Sequence, residues 1–130
     1  MKGIYVLIIK LSKNTNVKVG ALGKLVFDGG LYVYVGSAQN NLELRVARHK
    51  RKNKRLFWHI DYLLNDEAAT VTDVLYAQDD KTKECQIAAK LAEESVPIKG
   101  FGCSDCHCIS HLFRAESFQF LKENMQPLES

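Results

Sequence analysis

The stretch GIYVLIIKL, residues 3 to 11, constrains most strongly what this chain can fold into. It is rich in Ile, Val, Leu and Tyr, and it runs into the turn formers SKNTN. Residues 2 to 11 therefore read as a β-strand largely buried on both faces. Such a strand needs cover above and below. At 130 residues the chain is expected to form one domain, 1–130, able to bury roughly two-thirds of its unfolded surface. Hydrophobic residues make up 46% and charged residues 25%, as in ordinary globular proteins. No apolar run approaches the roughly 20 residues needed to span a bilayer, and no small-residue cleavage site follows the first strand. The expectation is a cytoplasmic protein without a membrane partner.

The remaining pattern is α/β. VKVGALGKLVF and LYVYVGS flank Asp28-Gly29-Gly30, where positive backbone dihedrals are cheap and a hairpin reversal is expected. Asn40 and Asn41 can cap a helix from Leu42 to about Asn53, with Glu43 placed for a capping box. FWHIDYLL, residues 57 to 64, suits a short buried helix, and VTDVLYA, residues 71 to 77, a strand. KTKECQIAAKLAEES has the period of an amphipathic helix that stops before Pro97. A loop over 98–108, a short strand at HLFRA and a closing helix at SFQFLKENM complete the pattern, with PLES frayed.

Charge is unevenly placed. The formal net charge is +3, yet Arg45, Arg48, Lys50, Arg51, Lys52, Lys54 and Arg55 fall within eleven residues that contain no acid. Without those seven, 11 basic residues face 15 acidic ones, a balance of −4. One concentrated basic element on an otherwise acidic chain suits a surface that meets a polyanion such as nucleic acid. A solvated helix face is the plain alternative, but such faces usually carry i,i+4 ion pairs, and this segment leaves its cations unpaired along its own length.

Two positions break the local pattern. Ile87, Ala88 and Leu91 follow Glu84 by three, four and seven residues, so Glu84 projects from the apolar face of its helix. It is either a first-turn glutamate favoured by the helix dipole, or a metal ligand or partner of an active-site cation. Arg45 and His49 lie i,i+4 on one helix face, and the strand feeding that helix presents Tyr34. An arginine that clamps phosphate and a tyrosine that holds or moves a proton suit phosphodiester chemistry.

Gly3-Ile4-Tyr5, then Tyr34-Val35-Gly36, Ser37, Leu42, Arg45 and His49 together resemble the signature of the GIY-YIG nucleases in order, and from Tyr34 onward in spacing, although the two tyrosines stand farther apart than is typical of that family. From Gly3 to Phe113 the chain is similar to a prokaryotic GIY-YIG-like group of unknown function, found alone or attached to DNA-repair enzymes. That group shares YVYVGSA, a basic helix with Arg and His, WHIDYLL, a helix with Glu-Cys, and a loop like GFGCSDCHCISHLF. The resemblance implies a small α/β fold with a mostly antiparallel sheet of about three strands flanked by helices. An extra hairpin would lie between the GIY and YVG strands, because residues 6 to 33 separate the two tyrosines.

The resemblance also implies chemistry. Glu84 would hold one divalent cation, Mg2+ or Mn2+, and Tyr5 would be the general base, with Tyr34 in the phosphate or water network. A tyrosine needs nearby cations to act as a base near neutrality. Arg45 would bind the scissile phosphate, and His49 would share a proton with Tyr5 or bind DNA. Arg48, Lys50, Arg51, Lys52, Lys54, Arg55 and His59 would contact nucleic acid, most naturally DNA. The late asparagine of the family has no match here. In its place stand Cys103, Cys106, Cys108 and His111, a C-x2-C-x-C-x2-H cluster capable of holding Zn2+. Other readings of this loop are a reduced segment beside the cleft, with His111 or Asp105 completing the site, a purely structural loop, or a disulfide involving Cys85. Trp58 and Tyr62 read as packing aromatics, with base stacking open to an exposed Trp58. A different class remains in play, a non-catalytic nucleic-acid-binding module that keeps the fold and the basic helix.

Overall fold

The computed structural model describes residues 1–102 and 108–128. Among them, eight strands and four α-helices are laid out around one central strand. β1 (Gly3–Leu11) is antiparallel to β4 (Gly30–Ala38) on one side and to β5 (Ala69–Ala77) on the other. β7 (Leu112–Arg114) and then β6 (Val96–Pro97) extend the β4 side, and β8 (Gln126–Pro127) extends the β5 side. The sheet order is β6-β7-β4-β1-β5-β8, six strands with every pairing antiparallel. The expectation of a mostly antiparallel α/β protein holds, but the sheet is twice the three-stranded one anticipated. The surplus comes from strands of two or three residues: β7, which coincides with the short strand expected at HLFRA, and β6 and β8, too short to leave a period in sequence.

β1 is buried on both faces, as its composition requires. Tyr5, Leu7, Ile9 and Leu11 pack on one side with Tyr32, Tyr34, Leu42, Val46, Ile60 and Phe101. Ile4, Val6 and Ile8 pack on the other with Val33, Val35, Ala88, Leu91 and Phe113. Burying an aliphatic side chain of this kind stabilises by about 1.5–3 kcal/mol. Two helices, α1 (Leu42–Lys50) and α2 (His59–Leu64), cover the first face, while α3 (Thr82–Glu94) and α4 (Gln119–Asn124) cover the second. None of these helices is long and apolar enough to cross a membrane.

Three local expectations are corrected. The reversal before the YVG strand is not at Asp28-Gly29-Gly30. β2 (Thr15–Lys18) pairs instead with β3 (Lys24–Phe27), in a separate two-stranded sheet. Its turn is closed by the Val19 amide donating to the Gly23 carbonyl at 2.8 Å, with Gly20 and Gly23 both at positive φ. Asp28 and Gly29 merely lead into β4, whose ladder partners are β1 and β7. The extra hairpin expected between the two tyrosine strands is thus present, built from a different turn. Helix α1 ends at Lys50 rather than near Asn53, because Lys54 Nζ caps the His49 and Arg51 carbonyls at 2.9 and 2.7 Å. Pro127 and Leu128, expected to fray, are tied down, with Pro127 in β8 and the Leu128 amide donating to the Val74 carbonyl at 2.8 Å.

Candidate active site

The pairing of β1 with β4 sets Tyr5 opposite Gly36, and Tyr34 opposite Leu7. With a side-chain period of two, Tyr5, Tyr34 and the missing side chain of Gly36 all belong to one face. The Tyr5 ring lies across Gly36 so closely that a Cβ there would fall inside it. That glycine makes room for a tyrosine that reaches beyond the sheet edge toward α1.

Arg45 and His49 meet Tyr5 from α1. Asn41 caps this helix, accepting from the Leu44 amide at 3.2 Å. His49 is 2% exposed, and its Nε2 lies 2.7 Å from the Tyr5 hydroxyl. Its Nδ1 is buried with no hydrogen-bond partner among the described residues. A lone pair left unmatched costs less than a buried N–H left unmatched, so the favoured tautomer carries its proton on Nε2 and donates to Tyr5. Burial is the main cause that lowers the His49 pKa from 6.5 to about 3, and the Lys54, Arg45 and Arg48 charges add to it against the opposing pull of Asp61. His49 is therefore neutral near pH 7. The Arg45 guanidinium acts on the Tyr5 hydroxyl in the opposite sense to burial, drawing its pKa down. Burial pushes the Tyr5 pKa up to about 12, and Arg45 counteracts only part of that push. Burial likewise raises Tyr34 well above its ordinary value.

These groups open on a cavity of about 700 Å3. Tyr5, Tyr34, Arg45 and Glu84 all line it, together with Ser37, Trp58, His59, Lys81 and His111. Glu84 enters from the first turn of α3, which resolves its odd position: the apolar stripe of Ala88 and Leu91 ends where the cavity begins. His59 accepts from the Gly102 amide on Nδ1 at 2.8 Å, which leaves its Nε2–H as a donor. Glu84 is the one carboxylate lining the cavity among the described residues, beside the hydroxyls of Tyr5, Tyr34, Ser37 and Tyr62 and the cations of Arg45 and Lys81. Magnesium commonly takes one or two carboxylates and completes its shell with water and phosphate oxygens, so the donor set fits a cation that arrives with a phosphodiester.

Two contributors escaped the sequence reading. The Trp58 ring is flanked by both arginines of α1, with the guanidinium carbons of Arg45 and Arg48 at 4.5 and 4.6 Å from its centroid. Stacking of this kind holds Arg45 over the cavity while it also donates to the Ser37 carbonyl at 3.3 Å. Asp61, with no exposed side-chain surface, takes Arg48 in a two-point grip at 2.8 and 3.0 Å and accepts from the Phe57 and Trp58 amides, both at 2.9 Å. Burial pushes its carboxyl up, but the Arg48 and amide hydrogen bonds outweigh it and hold the pKa below the usual carboxylate range. An acid three residues into an otherwise apolar helix start was the available signal.

The basic element is corrected accordingly. Arg48 is occupied by Asp61. Lys52 Nζ donates to the Leu64, Asp66 and Ala69 carbonyls at 2.6, 2.9 and 2.7 Å, stitching the end of α2 to β5. Lys54 caps α1. Burial lowers the pKa of both lysines. Those three cations hold the fold together, whereas Lys50, Arg51 and Arg55 stand exposed. Of the cysteine loop, Cys103 and Cys106 lie outside the described residues, while Cys108 lies beside Cys85 and His111 is buried at the cavity wall.

An antiparallel α/β domain with a polar, tyrosine-lined cavity at the foot of a basic helix matches one family over residues 4–129, described as Domain of unknown function DUF123. The chain belongs to that family. No curated protein and no solved structure matches it.

Proposed function

We propose that this chain is a nuclease domain of GIY-YIG type that hydrolyses a phosphodiester bond in DNA with a divalent cation, Mg2+ or Mn2+. One observation carries the reading. Tyr5, Tyr34, Arg45 and Glu84, drawn from two strands and two helices, line a single cavity, and His49 lies directly behind Tyr5. Sheet pairing sets the two tyrosines on one face, and α1 and α3 add Arg45 and Glu84 to the same cavity.

In this reading the Tyr5 oxygen takes the proton of the attacking water. The step needs Tyr5 already ionised: the His49 Nε2–H donated to its oxygen and the nearby Arg45 charge favour that tyrosinate, which becomes neutral tyrosine as it takes the proton. Arg45, steadied by Trp58 and Ser37, also faces the phosphate and offsets the negative charge that builds on it. Tyr34 closes the inner wall and orders the water or phosphate network. Glu84 would hold the cation, which when bound supplies Lewis-acid polarisation of the phosphate and eases departure of the leaving oxygen. Lys50, Arg51 and Arg55 would grip flanking phosphates.

The test is cleavage of structured and single-stranded DNA and RNA with magnesium or manganese, comparing the wild type with Arg45→Ala and Glu84→Ala. Cation-dependent cutting that both substitutions reduce by about 100-fold or more is the expected result. The raised Tyr5 pKa favours a second reading, a non-catalytic nucleic-acid-binding module. That module would show binding that weakens steeply with salt and no cleavage at any pH.

A further inference from the structure

From the convergence of three side chains at the foot of α3, we propose that Cys85, Cys108 and His111 form a Zn2+ site. Cys85 comes from the first helical turn, Cys108 from the stretch before β7, and His111 from the residue just ahead of that strand. Their donor atoms all lie within 4.8 Å of one another, and the two sulfurs are 2.8 Å apart. Zinc–sulfur bonds of about 2.3 Å and zinc–nitrogen bonds of about 2.0 Å place tetrahedral ligands roughly 3.5–3.8 Å from each other. The sulfur pair is closer than that range and no pair is more than about 1 Å beyond it, so small side-chain movements suffice to admit the ion.

The ligand set is not the one suggested by sequence spacing. C-x2-C-x-C-x2-H drew attention to the loop alone, whereas the fold brings in Cys85 from 23 residues before Cys108. The backbone behind His111 is fixed, its amide donating to Phe101 and its carbonyl accepting from Val35 of the central sheet, both at 2.9 Å. The Gly100 amide likewise donates to the Ile109 carbonyl at 2.9 Å, beside Cys108. Two thiolates and an imidazole select a borderline-soft cation such as zinc over magnesium, so this site is chemically separate from the one offered by Glu84. It does not depend on the nuclease reading. Binding would release two thiol protons, and the ion would clamp α3, and with it Glu84 next to Cys85, to the segment leading into β7. Three protein ligands leave a fourth position for water or another donor.

The test uses the full chain, reduced and stripped of metal, titrated with Co2+ and then with Zn2+. One equivalent of cobalt should produce the thiolate-to-cobalt charge-transfer band and the intense visible bands of tetrahedral coordination, and zinc should displace it. Cys85→Ser and His111→Gln should each weaken binding by at least about tenfold, while the Cys103→Ser/Cys106→Ser double variant retains one equivalent and the same spectrum. Zinc should also raise the thermal midpoint of the wild type, a readout that does not rely on any substitution. Absence of the charge-transfer band in the reduced wild type overturns the proposal. So does a spectrum that survives Cys85→Ser and disappears in the Cys103→Ser/Cys106→Ser variant.

Discussion

A methyl group at position 36 would collide with the Tyr5 ring, so the glycine of YVG and the tyrosine of GIY are one steric unit. Gly36→Ala should cost about 1–3 kcal/mol as the ring is forced aside, measured by urea unfolding, and should weaken any reaction that needs Tyr5 in place. His49 gives a pH signature. Its folded pKa of about 3 lies below the unfolded value of 6.5, so the unfolded chain binds more protons between the two. Stability from this residue is fully present above pH 6.5 and is lost as pH falls toward 3. Unfolding free energies at pH 7 and pH 4.5 should differ by a few kcal/mol in the wild type and by clearly less in His49→Gln. Equal pH dependence in the two proteins would refute a neutral buried His49. Tyr5 has the opposite displacement. With its pKa at about 12, the base form is scarce at neutral pH, so a reaction that uses it should speed up by about tenfold per unit from pH 7 to 9. A rate that is flat across that range would remove Tyr5 from the role of base.

At the scale of elements, the segment from Arg45 to Arg55 separates into two groups that sequence cannot distinguish. Its cations looked unpaired because their partners lie elsewhere: Asp61 in α2 for Arg48, and the carbonyls at the end of α2 and the start of β5 for Lys52. Arg48→Ala strands a buried carboxylate that keeps only its amide donors, and should destabilise by about 3 kcal/mol in urea unfolding. The Lys50→Ala/Arg51→Ala/Arg55→Ala variant should leave stability nearly unchanged and flatten the dependence of log K for DNA on log salt by up to about 3. An unchanged salt slope would show that DNA does not meet this face. Long elements such as β1, β4, β5 and α3 were legible because each sustains its pattern, a continuous apolar run in β1 and the helical period in α3, over most of nine or more residues. The β2–β3 hairpin was half legible. Its two strands read as one flank of a reversal at Asp28-Gly29-Gly30, and only the β1–β4 ladder shows that β4 has another partner.

For the whole molecule, the legible part of the candidate site was which residues gather at the cavity, and the illegible part was their support. Tyr5, Tyr34, Arg45, His49 and Glu84 were marked by pattern and by resemblance. Trp58 between two arginines and Cys85 beside His111 depend on contacts between distant segments, which no local period encodes. The sheet order explains how the cavity is assembled, since β1 at the centre brings Tyr5 next to β4, the strand that leads into α1. The nuclease proposal meets its most direct test in single-turnover cleavage of end-labelled DNA with magnesium, run beside a binding assay on the same preparations. The wild type should cut, and Glu84→Ala and Arg45→Ala should fall by about 100-fold or more while Glu84→Ala still binds DNA. Equal cutting by all three proteins, or a wild type that binds DNA and never cuts it, would contradict the proposal.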